Sequence, residues 1–178
     1  MVTNEPLSYE QLNIGDKWTS ANRTVVAADL QSFAELTGDH DPLHTDSKFA
    51  ANGPFGKPVA HGLLGLSILA GLSSKAPAVL TAALTDIRSW SFSKPVFVGD
   101  VVRAVTEIID MKPRGRRHGE VHWYRQLVNQ NGEKVQDGIL VTLVSRRVPL
   151  PNKKTINGPS LVSEPSIPIA VEESVATF

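Results

Sequence analysis

Apolar spacing along the chain changes period near its middle. Over residues 27–36, Leu30, Phe33, Ala34 and Leu36 fall near helical spacing and run into Gly38, so an amphipathic helix ending there is expected. A helical turn is predicted over residues 46–52, followed by the loop punctuation of Gly53, Pro54, Gly56 and Pro58. Residues 61–74 are apolar nearly all round (Leu63, Leu64, Leu66, Ile68, Leu69, Leu72), the pattern of a helix buried on every side. After residue 84 the period becomes two. Strands are expected at 87–92, 101–109, 120–128 and 135–148, with an earlier one near 18–25. Asn131-Gly132 between the last two signals a type I′ hairpin. The sum is an α+β fold, an antiparallel sheet of about five strands wrapped around one long helix.

Composition bounds this picture. The chain has 178 residues, with 18 Lys plus Arg against 18 Asp plus Glu, five His and no Cys. One domain is expected at residues 1–148, followed by a Pro-rich tail at 149–178, loosely ordered or packed on a partner. Without cysteine there are no disulfides, thiolate nucleophiles or Cys-based zinc sites. Balanced charge gives no general case for binding nucleic acid or an acidic membrane. The apolar run from Leu63 to Leu72 is only about half the ~20 residues of a membrane span. No apolar leader opens the sequence, and a cytoplasmic protein is expected.

Three of the five histidines, His40, His44 and His61, fall within one short stretch. Residues 37–46, Thr-Gly-Asp-His-Asp-Pro-Leu-His-Thr-Asp, read as a loop because of Gly38 and Pro42. Spacing leaves three chemistries open here. Asp and His can ligate a divalent ion, although helical His phasing is missing. They can cap helices and satisfy backbone groups. Or a carboxylate–imidazole pair can move a proton on a water molecule. Further on, Pro58-Val59-Ala60-His61-Gly62 enters the apolar helix. Its first N–H groups lack intrahelical acceptors, and Gly62 allows an oxyanion to approach them or simply permits tight packing.

Three segments in order, Gly38-Asp39-x-x-Pro42-Leu43-His44, Pro58-x-x-His61-Gly62 and Phe92-Ser93-Lys94-Pro95-Val96-Phe97-Val98-Gly99-Asp100, resemble the MaoC-like or hydratase-2 family. Its hydratases act (R)-specifically on enoyl-CoA. The resemblance implies a hot-dog fold, paired into a homodimer or a higher assembly of dimers by a continuous sheet. It makes Asp39 and His44 the catalytic pair that holds water against C3 of a trans-2-enoyl thioester, and Gly62 N–H the oxyanion donor. An acyl chain would enter an apolar tunnel between helix and sheet. No metal and no redox cofactor are implied, and the partner is an acyl-CoA thioester.

Two positions depart from the family pattern. Asp41 stands where Asn is frequent, and Ala70 where some hydratases carry a serine that supports the catalytic Asp; Ser67 lies one turn earlier. Asp41 and His61 are carried as substrate-binding candidates, although His61 also reads as support for the helix entry. His40, His118 and His122 read as structural. Lys112, Arg114, Arg116 and Arg117 form a basic hairpin turn that could meet CoA phosphates. The alternatives are a 3-hydroxyacyl-[acyl carrier protein] dehydratase, a hot-dog thioesterase, or a non-catalytic hot-dog subunit of a heteromeric dehydratase.

Overall fold

The computed structural model describes residues 5–148; the expected tail at 149–178 lies outside them. Helix α1 (Ala27–Thr37) ends on Gly38 in the left-handed region, φ 76°, the C-terminal stop that a residue without Cβ supplies at least cost. Two short helices follow, α2 (Pro42–Thr45) and α3 (Ser47–Ala51). The long helix α4 (Gly62–Ser73) precedes most of the sheet. Strands are β1 (Lys17–Thr19), β2 (Arg23–Thr24), β3 (Thr81–Phe92), β4 (Val101–Arg114), β5 (His118–Val128) and β6 (Lys134–Ser145). They form one antiparallel sheet in the order β1-β4-β5-β6-β3, with β2 also on β4. The sheet packs around α4, which contacts β4 and β5. This is the expected hot-dog fold, with six strands because the predicted early strand is broken into β1 and β2.

Period two sets which side chains meet the helix. In β5, Val121, Trp123 and Leu127 are buried together while His122 and Tyr124 point to the other face. Under α4, Leu64, Ile68 and Leu69 pack with Val102, Ala104, Leu127 and Val135. A second cluster holds Leu12, Ile108, Val121, Trp123 and Val144 towards the far end of the sheet.

Three expectations need correction. Residues 42–45 are a helical turn, not loop: Pro42 sits in its first turn, where the missing N–H costs nothing, and Asp41 caps it. The β5–β6 connection is not type I′. Asn131 has no positive φ, whereas Gly132 has φ 77°, and Gly132 N–H donates to Asn129 O at 3.0 Å. That is a type I turn closed by a left-handed glycine. Finally, α4 is buried on one side only. Leu63 is 60% exposed, and β3, the edge strand beside it, shows Leu84, Ile87 and Phe92 at its surface.

Candidate active site

His44 rides on α2, and its Nδ1–H donates to Val59 O at 2.7 Å. A carbonyl can only accept, so this bond fixes the tautomer and leaves Nε2 with a free lone pair. His61, the N-cap residue of α4, is 3% exposed. By the same logic its Nε2–H donates to Asp39 O at 3.0 Å, and its Nδ1 is buried without a partner. The His44 and His61 rings lie 3.9 Å apart at 31°, with Phe33 on the other ring contact of His61 at 5.1 Å. Asp39 is exposed, and Asp41 N–H lies 3.4 Å from its Oδ1. One ligating atom from each of Asp39, His44 and His61 falls within 4.8 Å of the others. The fold therefore brings Asp39 and His44 together from α1–α2, and His61 joins them from the start of α4.

Gly62, exposed, is the first residue of α4, and its N–H and that of Leu63 have no acceptor within the helix. Its carbonyl accepts from Gln136 Nε2 at 3.0 Å. A Cβ at Gly62 would meet Phe92 Cε1 at 3.1 Å, so Phe92 limits the space there. A dipole end, free N–H groups, a carboxylate and an imidazole with a free nitrogen thus share one surface. Such a set can hold a water, move its proton and stabilise a neighbouring oxyanion. The same three side chains offer donors for a metal, yet the Nδ1 of His44 and the Nε2 of His61 are already committed to main-chain carbonyls.

Other candidates land elsewhere. The Asp41 carboxylate caps α2, its Oδ1 accepting from Leu43 N–H at 2.8 Å. Ser67 donates to Leu63 O and Ala70 has no hydroxyl; Asp39 is held instead by the His61 ring on its carbonyl and by Asp41 N–H on its carboxylate. His40 is exposed, and its carbonyl accepts from Thr45 Oγ1. His122 is paired at 2.9 Å with Glu120, which also holds Lys112 at 3.0 Å. The Glu120 carboxyl is held below the usual carboxylate range, first by His122 and then by Lys112. The basic turn lies far from Gly62: Gln136, beneath it, is in register with Leu127 and Ala104, and Arg114 is ten residues further along β4, roughly 33 Å at 3.3 Å each. Sequence reasoning missed Val59, Phe92 and Gln136, whose contacts cross 15 to 74 positions of chain.

Two cavities stand out, one beside these residues and one further along α4. One of about 620 Å³ has His44 and His40 in its wall, with α1 and the Lys57–Pro58 turn around it. The other, about 260 Å³, lies between the C-terminal half of α4 and the sheet. Only the second occupies the place expected of an acyl tunnel, and its wall is not purely apolar: Ser73, Thr81, Arg125 and Thr142 line it beside Leu84 and Trp123.

Comparison with known proteins agrees with this geometry. Residues 11–129 match the family model of the MaoC like domain. An (R)-specific enoyl-CoA hydratase from Aeromonas caviae is 37% identical over 107 residues, covering 60% of this chain and 78% of that protein. A 3-hydroxybutyryl-CoA dehydratase from Methylorubrum extorquens is 32% identical over 112 residues, 62% of this chain and 69% of its own. Among solved structures, an unliganded R-hydratase from Pseudomonas aeruginosa superposes with a TM-score of 0.66 at 25% identity, covering 93% of this chain and 97% of that one. The family match spans more than half of the sequence and contains Asp39, His44 and Gly62: the chain belongs to the MaoC-like domain family.

Proposed function

We propose that this protein is a hydro-lyase that adds water reversibly to trans-2-enoyl-CoA, giving (R)-3-hydroxyacyl-CoA. The observation that carries the reading is the His44 tautomer: Nδ1–H is spent on Val59 O, which leaves Nε2 the free base on a ring that has a nitrogen within 4.8 Å of the Asp39 carboxylate. A water held between the two loses a proton as its oxygen bonds C3. The π electrons move to C2 and the thioester oxygen, and C2 takes a proton back from the pair. Gly62 N–H and the α4 dipole stabilise the enolate oxygen while that charge exists. Nothing in this sequence of bonds needs a metal or a redox cofactor.

A homodimer belongs to the same reading. β3 ends the sheet order without a second partner among the described residues, and its exposed Leu84, Ile87 and Phe92 adjoin the exposed Leu63 of α4. Antiparallel pairing of β3 with a second copy would continue the sheet and cover these side chains. None of the described helices is long and apolar enough to cross a membrane, and we place the protein in the cytoplasm with its thioester substrate.

The test follows crotonyl-CoA by loss of the conjugated thioester absorbance, with chiral analysis of the product. Wild type is expected to form the (R)-3-hydroxy thioester, and Asp39→Asn and His44→Ala to lose at least about 100-fold, the lower range for removal of a proton-transfer group. Wild-type rates in both variants would sink the assignment. Activity only on an acyl carrier protein thioester would move the reading to the corresponding dehydratase. Thiol release in place of absorbance loss would make it a thioesterase. A protein inactive alone but required by a partner would be a supporting subunit.

A further inference from the structure

Arg125 occupies a position where the fold calls for an apolar residue. Along β5 it shares the helix-facing row with Val121, Trp123 and Leu127, all buried. Its Nε is buried without a hydrogen-bond partner, and among the described residues no carboxylate pairs with it. Its guanidinium carbon stands 5.3 Å from the Trp123 ring. Burial alone pushes its pKa down to about 10, still well above neutral, so the group is a cation in a poorly solvated place. The side chain is half-buried, and the contact with the Trp123 ring compensates its charge only in part. A cation kept there calls for an anion.

The cavity it lines supplies the rest of a receptor. Ser73, 1% exposed, has its Oγ in the same position of need, buried with no partner. Thr142 Oγ1 accepts from Trp123 Nε1 at 2.8 Å, which leaves its own O–H free to donate. A guanidinium and two hydroxyl donors therefore line one volume of about 260 Å³ with Leu84 and Ala70 beside them, room for more than a single water. Three donors and no acceptor of charge describe a site for a carboxylate.

Position links this cavity to the reaction. Thr81 and Leu84 in its wall come from the first part of β3, while Phe92 at the other end of β3 lies over Gly62. A two-fold axis through the middle of β3, as in the proposed dimer, sets the Thr81 end of one copy against the Phe92 end of the other. The Arg125 cavity of one protomer then opens beside the α4 N-terminus of its partner. We propose that Arg125, Ser73 and Thr142 bind a carboxylate at the far end of the acyl group, so that the preferred substrates are enoyl thioesters of dicarboxylic acids. This assignment rests on the hydro-lyase reading and its dimer.

Saturated thioesters cannot be hydrated, so their binding reads the pocket independently of catalysis. The full-length protein is titrated calorimetrically with glutaryl-CoA against pentanoyl-CoA, and with adipyl-CoA against hexanoyl-CoA. In at least one pair the dicarboxylic member is expected to bind about tenfold tighter or more, with the gap closed in Arg125→Met and partly kept in Arg125→Lys. Met in place of this half-buried cation, which has no carboxylate partner among the described residues, should fold with an unchanged or raised Tm; if it does not, Ser73→Val carries the test and should narrow the same gap. Equal or tighter binding of both neutral members, or a preference that survives the folded variants, overturns the proposal. Turnover of crotonyl-CoA and glutaconyl-CoA is measured alongside. Hydration of crotonyl-CoA without any dicarboxylate preference sinks the pocket and leaves the hydro-lyase. A preference without turnover of either substrate sinks the hydro-lyase and leaves the pocket. No thioester binding at all overturns both.

Discussion

Replacing Gly62 by proline removes the N–H from the site and puts a ring carbon in its place. Gly62 is the first residue of α4, where its N–H serves no intrahelical acceptor, so a proline there breaks no helix bond. His61 before it has ψ 137°, already in the region that a following proline requires. The exchange is therefore expected to leave stability unchanged or raise it by about 0.4–1 kcal/mol through the unfolded chain. Gly62→Ala is the matched control. It adds a Cβ at 3.1 Å from Phe92 Cε1 but keeps the N–H. The contact is with the edge of the Phe92 ring, which can turn to give a few tenths of an ångström. Loss of one oxyanion donor costs about 2.7–4 kcal/mol, or 10²–10³ in kcat. Leu63 N–H and the helix dipole remain, which puts the expectation near the lower end, about 100-fold for Pro relative to Ala. Initial rates on crotonyl-CoA at saturating substrate, with thermal unfolding of each variant, check it. A folded proline variant within about threefold of the alanine variant would refute Gly62 N–H as the donor.

Two further expectations concern the groups around the pair. His61→Phe loses the bond to Asp39 O, about 1 kcal/mol net, and also removes the buried orphan Nδ1, worth a similar amount in the other direction. Its Tm should stay within about 4 °C while kcat falls at least about tenfold as Asp39 loses its anchor; a parallel loss of both would make His61 merely structural. Glu120, held below its ordinary value of 4.5 by His122 and Lys112, favours the folded state above that value and loses the contribution as pH falls through the lower folded value. Glu120→Gln should therefore be less stable than wild type at pH 7 and converge with it in acid, measured by urea midpoints across pH 3–7; a constant gap would contradict the pairing.

The parts of this fold legible in the sequence are those set by local period and punctuation. α1 and its glycine stop follow from Leu30, Phe33, Ala34 and Gly38, and the strands follow from alternation, with ends off by several residues because pairing partners set where a strand stops. β4 runs to Arg114 rather than 109 because β5 continues to pair with it. The burial of α4 was overestimated because a helix with two apolar faces says nothing about which is covered by its own chain. α2 was missed because proline breaks a helix interior but suits its start. Asp39, His44 and Gly62 were found by motif; Val59, Phe92 and Gln136 were not, since each acts through the main chain or bulk across long sequence separations. Arg125 was missed for another reason: both faces of β5 carry polar residues, so the odd row could be identified as helix-facing only after the sheet was in place.

The departure at position 41 now has a physical reading. Asp41 Oδ1 accepts from Leu43 N–H at 2.8 Å and its own N–H points at Asp39 Oδ1. An asparagine oxygen caps a helix about as well as a carboxylate does, and the N–H belongs to the backbone and survives any exchange but proline. Asp41→Asn should therefore change stability by no more than about 0.5 kcal/mol and kcat by less than about threefold. Asp41→Ala removes the cap, about 1 kcal/mol, from a helix of only four residues that carries His44. Such a turn has no reserve of its own, so the loss should fall on kcat more than on global unfolding. If the carboxylate instead touched substrate, Asn would shift KM while Ala and Asn behaved alike. Steady-state rates for the pair decide between a cap, which separates Asn from Ala, and a substrate ligand, which does not.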